Sequence, residues 1–272
     1  MAKSKMKTIN YVLGHDSNEQ TRLDHQAELL KDPSLEAFIA QAKTCLEIGC
    51  GVGSNLHWIR KANPSIHYTG VDIGIEAIEA ARLRYDQTPM VSFHQMDAHK
   101  LDFPSDSYDV VFSKLVLWAV GANWLKVLEE CYRVLKPGGT FHSFEPDDEL
   151  LLFYPDKPAF SEAMRLWDVK ALEDGLNPFV GREVHQGLHR AKFQNIGSHL
   201  FTKVLTGLDP VGYRGASANL AKLYLGKGPA SIGLKKNSTI WRDANREIRL
   251  SRTQDLIVES YFVTSGKKSE AP

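Results

Sequence analysis

The chain has 272 residues and carries 33 Lys and Arg against 33 Asp and Glu, a formal charge of zero. That balance gives no general attraction to nucleic acid or to an anionic membrane. The apolar fraction of 43% and charged fraction of 24% suit an ordinary globular protein, long enough for one large domain or a domain with an insertion. Three cysteines, Cys45, Cys50 and Cys131, are too few and wrongly spaced for a disulfide framework or a zinc site, so no metal is expected and a reducing, cytoplasmic compartment fits. The basic start at Met1–Lys7 has no apolar core behind it, so it does not read as a signal peptide, and no run approaches a membrane span.

In chain order, Gly14-His15-Asp16-Ser17 reads as a turn. Ser17 and Gln20 form a candidate capping box for a helix through Leu30, with Leu23, Ala27 and Leu30 as its apolar stripe. Residues 44–73 then give strand, glycine turn, helix and strand. Cys45, Leu46 and Ile48 enter Gly49-Cys50-Gly51-Val52-Gly53, a helical segment runs from Ser54 to about Ala62, and Tyr68–Val71 stops on Asp72. Glycines at alternate positions let backbone approach a ligand without a Cβ in the way. A helix starting near Ser54 would turn free N–H groups toward that ligand. A carboxylate at the end of the second strand can accept from two vicinal ribose hydroxyls. The spacing is G-x-G-x-G and not the G-x-G-x-x-G of dinucleotide folds, and no Gly-Lys-Ser/Thr follows, which excludes a P-loop.

A helix is expected over Ile75 to about Tyr85, then a third strand from Val91 that ends before Asp97-Ala98. Leu101 to Ser113 is a polar turn running into a fourth strand, Val110-Val111-Phe112, with Ser113 at its exit. Asn123–Leu135 reads as a helix that Lys136-Pro137-Gly138-Gly139 terminates before a fifth strand, Thr140–Phe144. That strand delivers Glu145 and Asp147 to the same edge as Gly51, Asp72 and Asp97, where parallel sheets bind ligands. Beyond Leu150, helices are expected over Ala159–Glu173 and from the loop at Asn177–Arg182 to Phe193. Strands follow at Ser198–Leu205 and from Ile257. Residues 208–254 between them are expected to hold helices, including Asn219–Leu225 and Trp241–Arg252, in an insertion longer than a hairpin needs.

Leu46-Glu47-Ile48-Gly49-Cys50-Gly51-Val52-Gly53 with Val71-Asp72-Ile73 resembles the first motif and second-strand end of class I S-adenosylmethionine-dependent methyltransferases. The polar turn at Leu101–Ser113 and the Lys136–Gly139 turn are similar to the family's segments at those places. The resemblance implies an α/β fold: a doubly wound, mostly parallel, seven-stranded Rossmann-like sheet with an N-terminal helical lid and a helical insertion before the last strand. The expected division is 1–43 lid, 44–207 core, 208–254 insertion serving as substrate cover or oligomer contact, and 255–272 last strand and tail.

It also implies S-adenosyl-L-methionine as cofactor, held by Tyr11, Arg22, Glu47, Gly49, Gly51, Gly53, Asp72, Ile73, Asp97, Ala98 and Ser113. Trp118, Glu145, Asp147 and Arg182 are expected on the substrate side. Many relatives carry Glu-His after the fourth strand where this chain has Trp118-Ala119, so a histidine base there is absent. His15, Glu145 and His185 are the open candidates for a base, needed only if the acceptor enters protonated. The expected reaction is in-line methyl transfer to a small molecule by a monomer or homodimer, with no nucleic-acid or membrane partner. A protein or RNA methyltransferase, or a cofactor-binding protein without activity, keeps the same fold.

Overall fold

The computed structural model describes residues 17–207, 210–226, 229–250 and 254–270, without the side chains of 17–22, 210–214 and 231. The N-terminal helix α1 (Ser17–Leu29) buries Ala27, and Leu30 just beyond it, as its stripe predicts. The side chains of the expected capping box lie outside the described residues. A second helix, α2 (Pro33–Gln41), is an addition to the expected elements. Asp32 caps it by accepting from Leu35 N–H at 2.9 Å, and Pro33 occupies the first helical position, where its missing N–H costs nothing.

The core then alternates as expected through β1 (Thr44–Ile48), α3 (Leu56–Ala62), β2 (His67–Asp72), α4 (Ile75–Arg84), β3 (Val91–Gln95) and β4 (Tyr108–Lys114). It continues through α5 (Trp124–Val134), β5 (Leu135–Pro146), a short β6 (Leu152–Tyr154), α6 (Pro158–Glu173), α7 (Val180–Arg190) and β7 (Gln194–Thr206). Helices α8 (Pro210–Leu225) and α9 (Thr239–Arg249) precede the last strand, β8 (Leu256–Lys267).

The strands form one sheet in the order β3-β2-β1-β4-β5-β8-β6, with β7 on the other edge of β8. Strands β1 to β5 are parallel to their neighbours, whereas β8 runs antiparallel to β5, β6 and β7. The sheet therefore has eight strands where seven were expected. The extra one is β6, three residues that follow β5 along β8 by pairing Leu152–Tyr154 with Leu256–Val258. The Lys136–Gly139 turn is absorbed into β5 as an irregularity: Tyr108 pairs with Leu135 but Val110 pairs with Thr140.

Strand alternation sends neighbouring side chains to opposite faces. Leu46, Ile48 and Val111 join a cluster with α5 and α7, while Cys45, Val110 and Phe112 join another with α2, α3 and α4. Both faces are thus covered, which brings the carboxyl ends of β1, β2, β4 and β5 to one open edge. A third cluster packs α6, α8 and α9 over β7 and β8 through Phe160, Trp167, Tyr224, Ile248 and Ile257. All three cysteines are buried free thiols, and among the described residues no helix is long and apolar enough to cross a membrane.

Candidate functional site

A cavity of about 870 Å³ opens at that edge, walled by the β1–α3 turn, the ends of β2, β3 and β4, and helices α1 and α8. The turn is built as its glycines require. Gly49 has φ +68°, and a Cβ there would meet Val116 Cγ2 at 2.4 Å. Gly51 has φ +53°, and a Cβ on it would meet nothing within 4 Å, so its backbone faces open space. Asp72 ties this turn to β2: its Oδ2 accepts from Gly51 N–H at 2.9 Å and its Oδ1 from Gly74 N–H at 2.8 Å. Asp97 sits beside it after β3, with its Oδ1 accepting from His99 N–H at 2.9 Å and 2.7 Å from His99 Nδ1.

Glu47 is buried at the end of β1. Asn55 donates to its Oε1 at 2.7 Å and the Tyr68 hydroxyl donates to its Oε2. Burial pushes its carboxyl up to about 7, against the pull of these donors and of Lys114. Lys114, at the end of β4, reaches Asn55 Oδ1 and Ala27 O at 3.3 Å each, and burial pushes its ammonium down to about 8. One acid and one base of near-balanced affinity therefore share a wall of the cavity.

Glu47, Gly49, Gly51, Asp72, Ile73, Asp97, Ala98, Trp118 and Asp147 all line the cavity. Five expected members do not. Gly53 turns away from it, against Tyr85 and Phe93, whose rings would lie 2.9 and 3.0 Å from an added Cβ. Ser113 is fully buried and donates to Glu145 Oε1 at 3.3 Å. Glu145 is fully buried too; it accepts from Val116 N–H at 3.1 Å and so pins the loop leaving β4 instead of facing an acceptor. Arg182 turns outward to pair with Asp147 and Glu149. His185 is exposed on α7, 2.8 Å from Ser198 Oγ. Tyr11 and His15 lie outside the described residues, as does the side chain of Arg22. The helix expected from Ser54 begins at Leu56, and Asn55 spends its side chain on Glu47 and Trp58.

Lys114, Asp148, Trp167 and Tyr224 also line the cavity and were not foreseen. Trp167 and Tyr224 lie on helices whose apolar spacing reads as packing, and only folding brings them beside the β5 edge. The adjacency of Lys114 to Ser113 at a strand exit was the one local signal for it.

Burial also pushes the Glu145 carboxyl up to about 7. The folded chain therefore holds a proton that the unfolded chain releases above its usual value near 4.5, so this group lowers stability as pH rises through that window. Glu145→Gln keeps a carbonyl acceptor for the loop and removes the titration. Its stability relative to wild type is expected to rise between pH 4.5 and 7.5, by at most about 3 kcal/mol at 1.36 kcal/mol per pH unit. Urea denaturation at a series of pH values measures it, and parallel curves for the two proteins would contradict this account.

Fold and site together define a doubly wound α/β protein whose glycine turn and two strand-end carboxylates share one cavity. Residues 46–143 match the methyltransferase domain family. A malonyl-[acyl-carrier protein] O-methyltransferase of Brevibacillus brevis is 29% identical over 64% of this chain and 61% of its own length. The chain spans about half to three fifths of the length of the curated relatives it matches. Among solved structures, a SAM-dependent methyltransferase from Methanosarcina mazei superposes with a TM-score of 0.56 at 18% identity, covering 89% of this chain and 99% of that one. The [4+2]-cyclase SpnF superposes with a TM-score of 0.52 at 16% identity, covering 88% and 82%. At such identities the likeness is one of fold.

Proposed function

We propose that the chain transfers a methyl group from S-adenosyl-L-methionine to a small-molecule acceptor. The observation that supports this best is one cavity in which the open backbone at Gly51, the carboxylates Asp72 and Asp97, and the opposed charges of Glu47 and Lys114 meet. These residues fit the cofactor group by group. Asp72 keeps lone pairs for the ribose hydroxyls, Asp97 and Ala98 take the adenine edge, Glu47 faces the methionine ammonium and Lys114 its carboxylate. When bound, the cofactor supplies an electrophilic methyl on a sulfonium. The chain's own task is to hold the acceptor against that methyl and exclude water, an alignment worth up to roughly 7–11 kcal/mol.

Helix α1, from the N-terminal segment, and α8, from the insertion, contribute Leu23, Gln26, Leu220 and Tyr224 to the cavity wall, which supports reading both segments as covers. A wall closed by helices suits a small acceptor better than a polymer. A malonyl-type acceptor, as in the Brevibacillus relative, is one chemistry within this reading. Buried free thiols fit a cytoplasmic protein. The similarity to a cyclase supports a second reading, a cofactor-binding protein that does not transfer the methyl.

Calorimetric and thermal-shift titrations with S-adenosylmethionine, S-adenosylhomocysteine and NAD test the site. An adenosyl ligand at a hundred times its dissociation constant is expected to stabilise the fold by about 2.7 kcal/mol. Binding of NAD alone would overturn the reading. Adenosyl binding with no label passing from methyl-labelled cofactor to any acceptor of a metabolite panel would favour the second.

A further inference from the structure

The side of the cavity away from Asp72 and Asp97 is floored by β7 and β8, and β1, β4 and β5 lie between β2 and β8 in the sheet. Register sorts that floor into rows. Phe201 pairs with Tyr261, Lys203 with Glu259 and Leu205 with Ile257, and strand alternation points all six to one face. The first row packs with Phe144 and Leu30, the Tyr261 ring lying 4.9 Å from that of Phe144. The last row packs with Ala216 and Leu220 of α8. One charged row therefore lies between two apolar rows, and its Lys203 and Glu259 both line the cavity.

Packing does not account for Glu259. The Tyr261 hydroxyl donates to its Oε2 at 3.3 Å, the one hydrogen bond its carboxylate receives among the described residues. A carboxylate accepts at about four lone-pair sites, and a charge set among apolar groups with few donors is costly. Burial accordingly pushes its carboxyl above the usual range, against the pull of Lys203 and of the Tyr261 hydroxyl. The neighbouring cavity carboxylates are already matched. Asp147 pairs with Arg182, and Asp148 hydrogen-bonds with Asp168 and the Tyr224 hydroxyl. Glu259 is left with acceptor capacity on the cavity wall.

The donor that meets it must also suit Lys203, whose charge acts on Glu259. An ammonium would face Lys203 and a carboxylate would face Glu259, each as like charge. A hydroxyl donates to Glu259 and carries no charge of its own, and the apolar rows on either side suit a hydrocarbon body.

We propose that Glu259 anchors the acceptor through a hydroxyl group of an otherwise apolar small molecule, whose hydrocarbon part lies against Leu205, Leu220 and Tyr261. This rests on the methyltransferase reading and narrows its substrate class. Glu259 is thus a specificity-determining residue, holding the acceptor at the end of the cavity away from Asp72 and Asp97.

The test uses four probes of similar size: 2-phenylethanol, its methyl ether, 2-phenylethylamine and phenylacetate. Each is titrated at pH 7.5 into the S-adenosylhomocysteine-loaded protein, followed by calorimetry and tryptophan fluorescence. The alcohol is expected to bind at least about tenfold more tightly than the other three, one decade being about 1.4 kcal/mol. Glu259→Leu is expected to abolish its advantage over the ether, which lacks only the O–H. Glu259→Gln keeps a carbonyl acceptor without the charge and should narrow that advantage, which carries the test if Glu259→Leu fails to fold. An alcohol that does not bind or binds no better than its ether, tighter binding of the amine or the acid, or an advantage undiminished in the folded variants overturns the proposal. S-adenosylhomocysteine affinity, measured in the same samples, shows separately whether the cofactor reading has failed.

Discussion

Asp72→Ala is expected to weaken S-adenosylhomocysteine binding by about 100-fold or more. Two hydrogen bonds from ribose hydroxyls to an ionised acceptor contribute about 1.5–3 kcal/mol each. The same change frees Gly51 N–H and Gly74 N–H, which Asp72 now accepts at 2.9 and 2.8 Å, so the turn also loses its brace. Asp72→Asn separates the two effects. It keeps one carbonyl oxygen for a backbone donor and presents an amide where the ribose needs an acceptor, so its affinity should fall between wild type and Asp72→Ala. Calorimetry on protein shown to be folded by its melting curve gives the answer. An Asp72→Ala protein that binds as tightly as wild type would remove Asp72 from the cofactor site.

The largest expected effect on stability lies away from the cavity. Lys157 and Asp255 are almost fully buried, with Nζ 3.5 Å from Oδ2, and Lys157 also donates to Glu247 O at 3.0 Å. Nearby, Phe160 N–H donates to Glu247 Oε2 at 2.9 Å. These contacts tie the start of α6 to α9 and to the entry of β8, so they fasten the 208–254 segment to the sheet. Lys157→Met leaves Asp255 charged and uncompensated and is expected to cost about 3–5 kcal/mol by denaturant unfolding. The double variant Lys157→Met, Asp255→Leu replaces the pair with apolar groups and should recover most of that loss. A single variant as stable as wild type, or a double variant no better than the single, would mean that the pair does not hold this junction.

Helices α1 and α8 bring residues to the cavity wall, while the sheet brings the carboxylates. Substitution at the junction of α6 and α9 should therefore reach acceptor binding before it reaches cofactor binding. Asp72, Asp97 and Gly51 hang on strands β1 to β3, which pack against α2, α3 and α4 in a separate cluster.

Local signals were enough to foresee the glycine turn and the strand-end carboxylates that line the cavity, and most of the elements. The alternating apolar runs at Cys45–Ile48, Tyr68–Val71 and Val110–Phe112 mark strands by themselves, since a period of two needs no distant partner. Gly51 and Asp72 could be read from spacing because a turn and a strand end are local objects. The helix α2 was legible in principle from Asp32-Pro33, whereas β6 was not, because three residues become a strand only where β8 offers its edge. The corrections have the same origin. Nothing in the string distinguishes Glu145, buried under the loop after β4, from Asp148 three residues later, which lines the cavity. Glycine turn, strand-end carboxylates and helix stripes are set by neighbours in sequence. Which carboxylate meets solvent, which is walled in, and which aromatic rings stand beside it are set by the packing of α6, α8 and α9 over β7 and β8, and only the tertiary structure decided those.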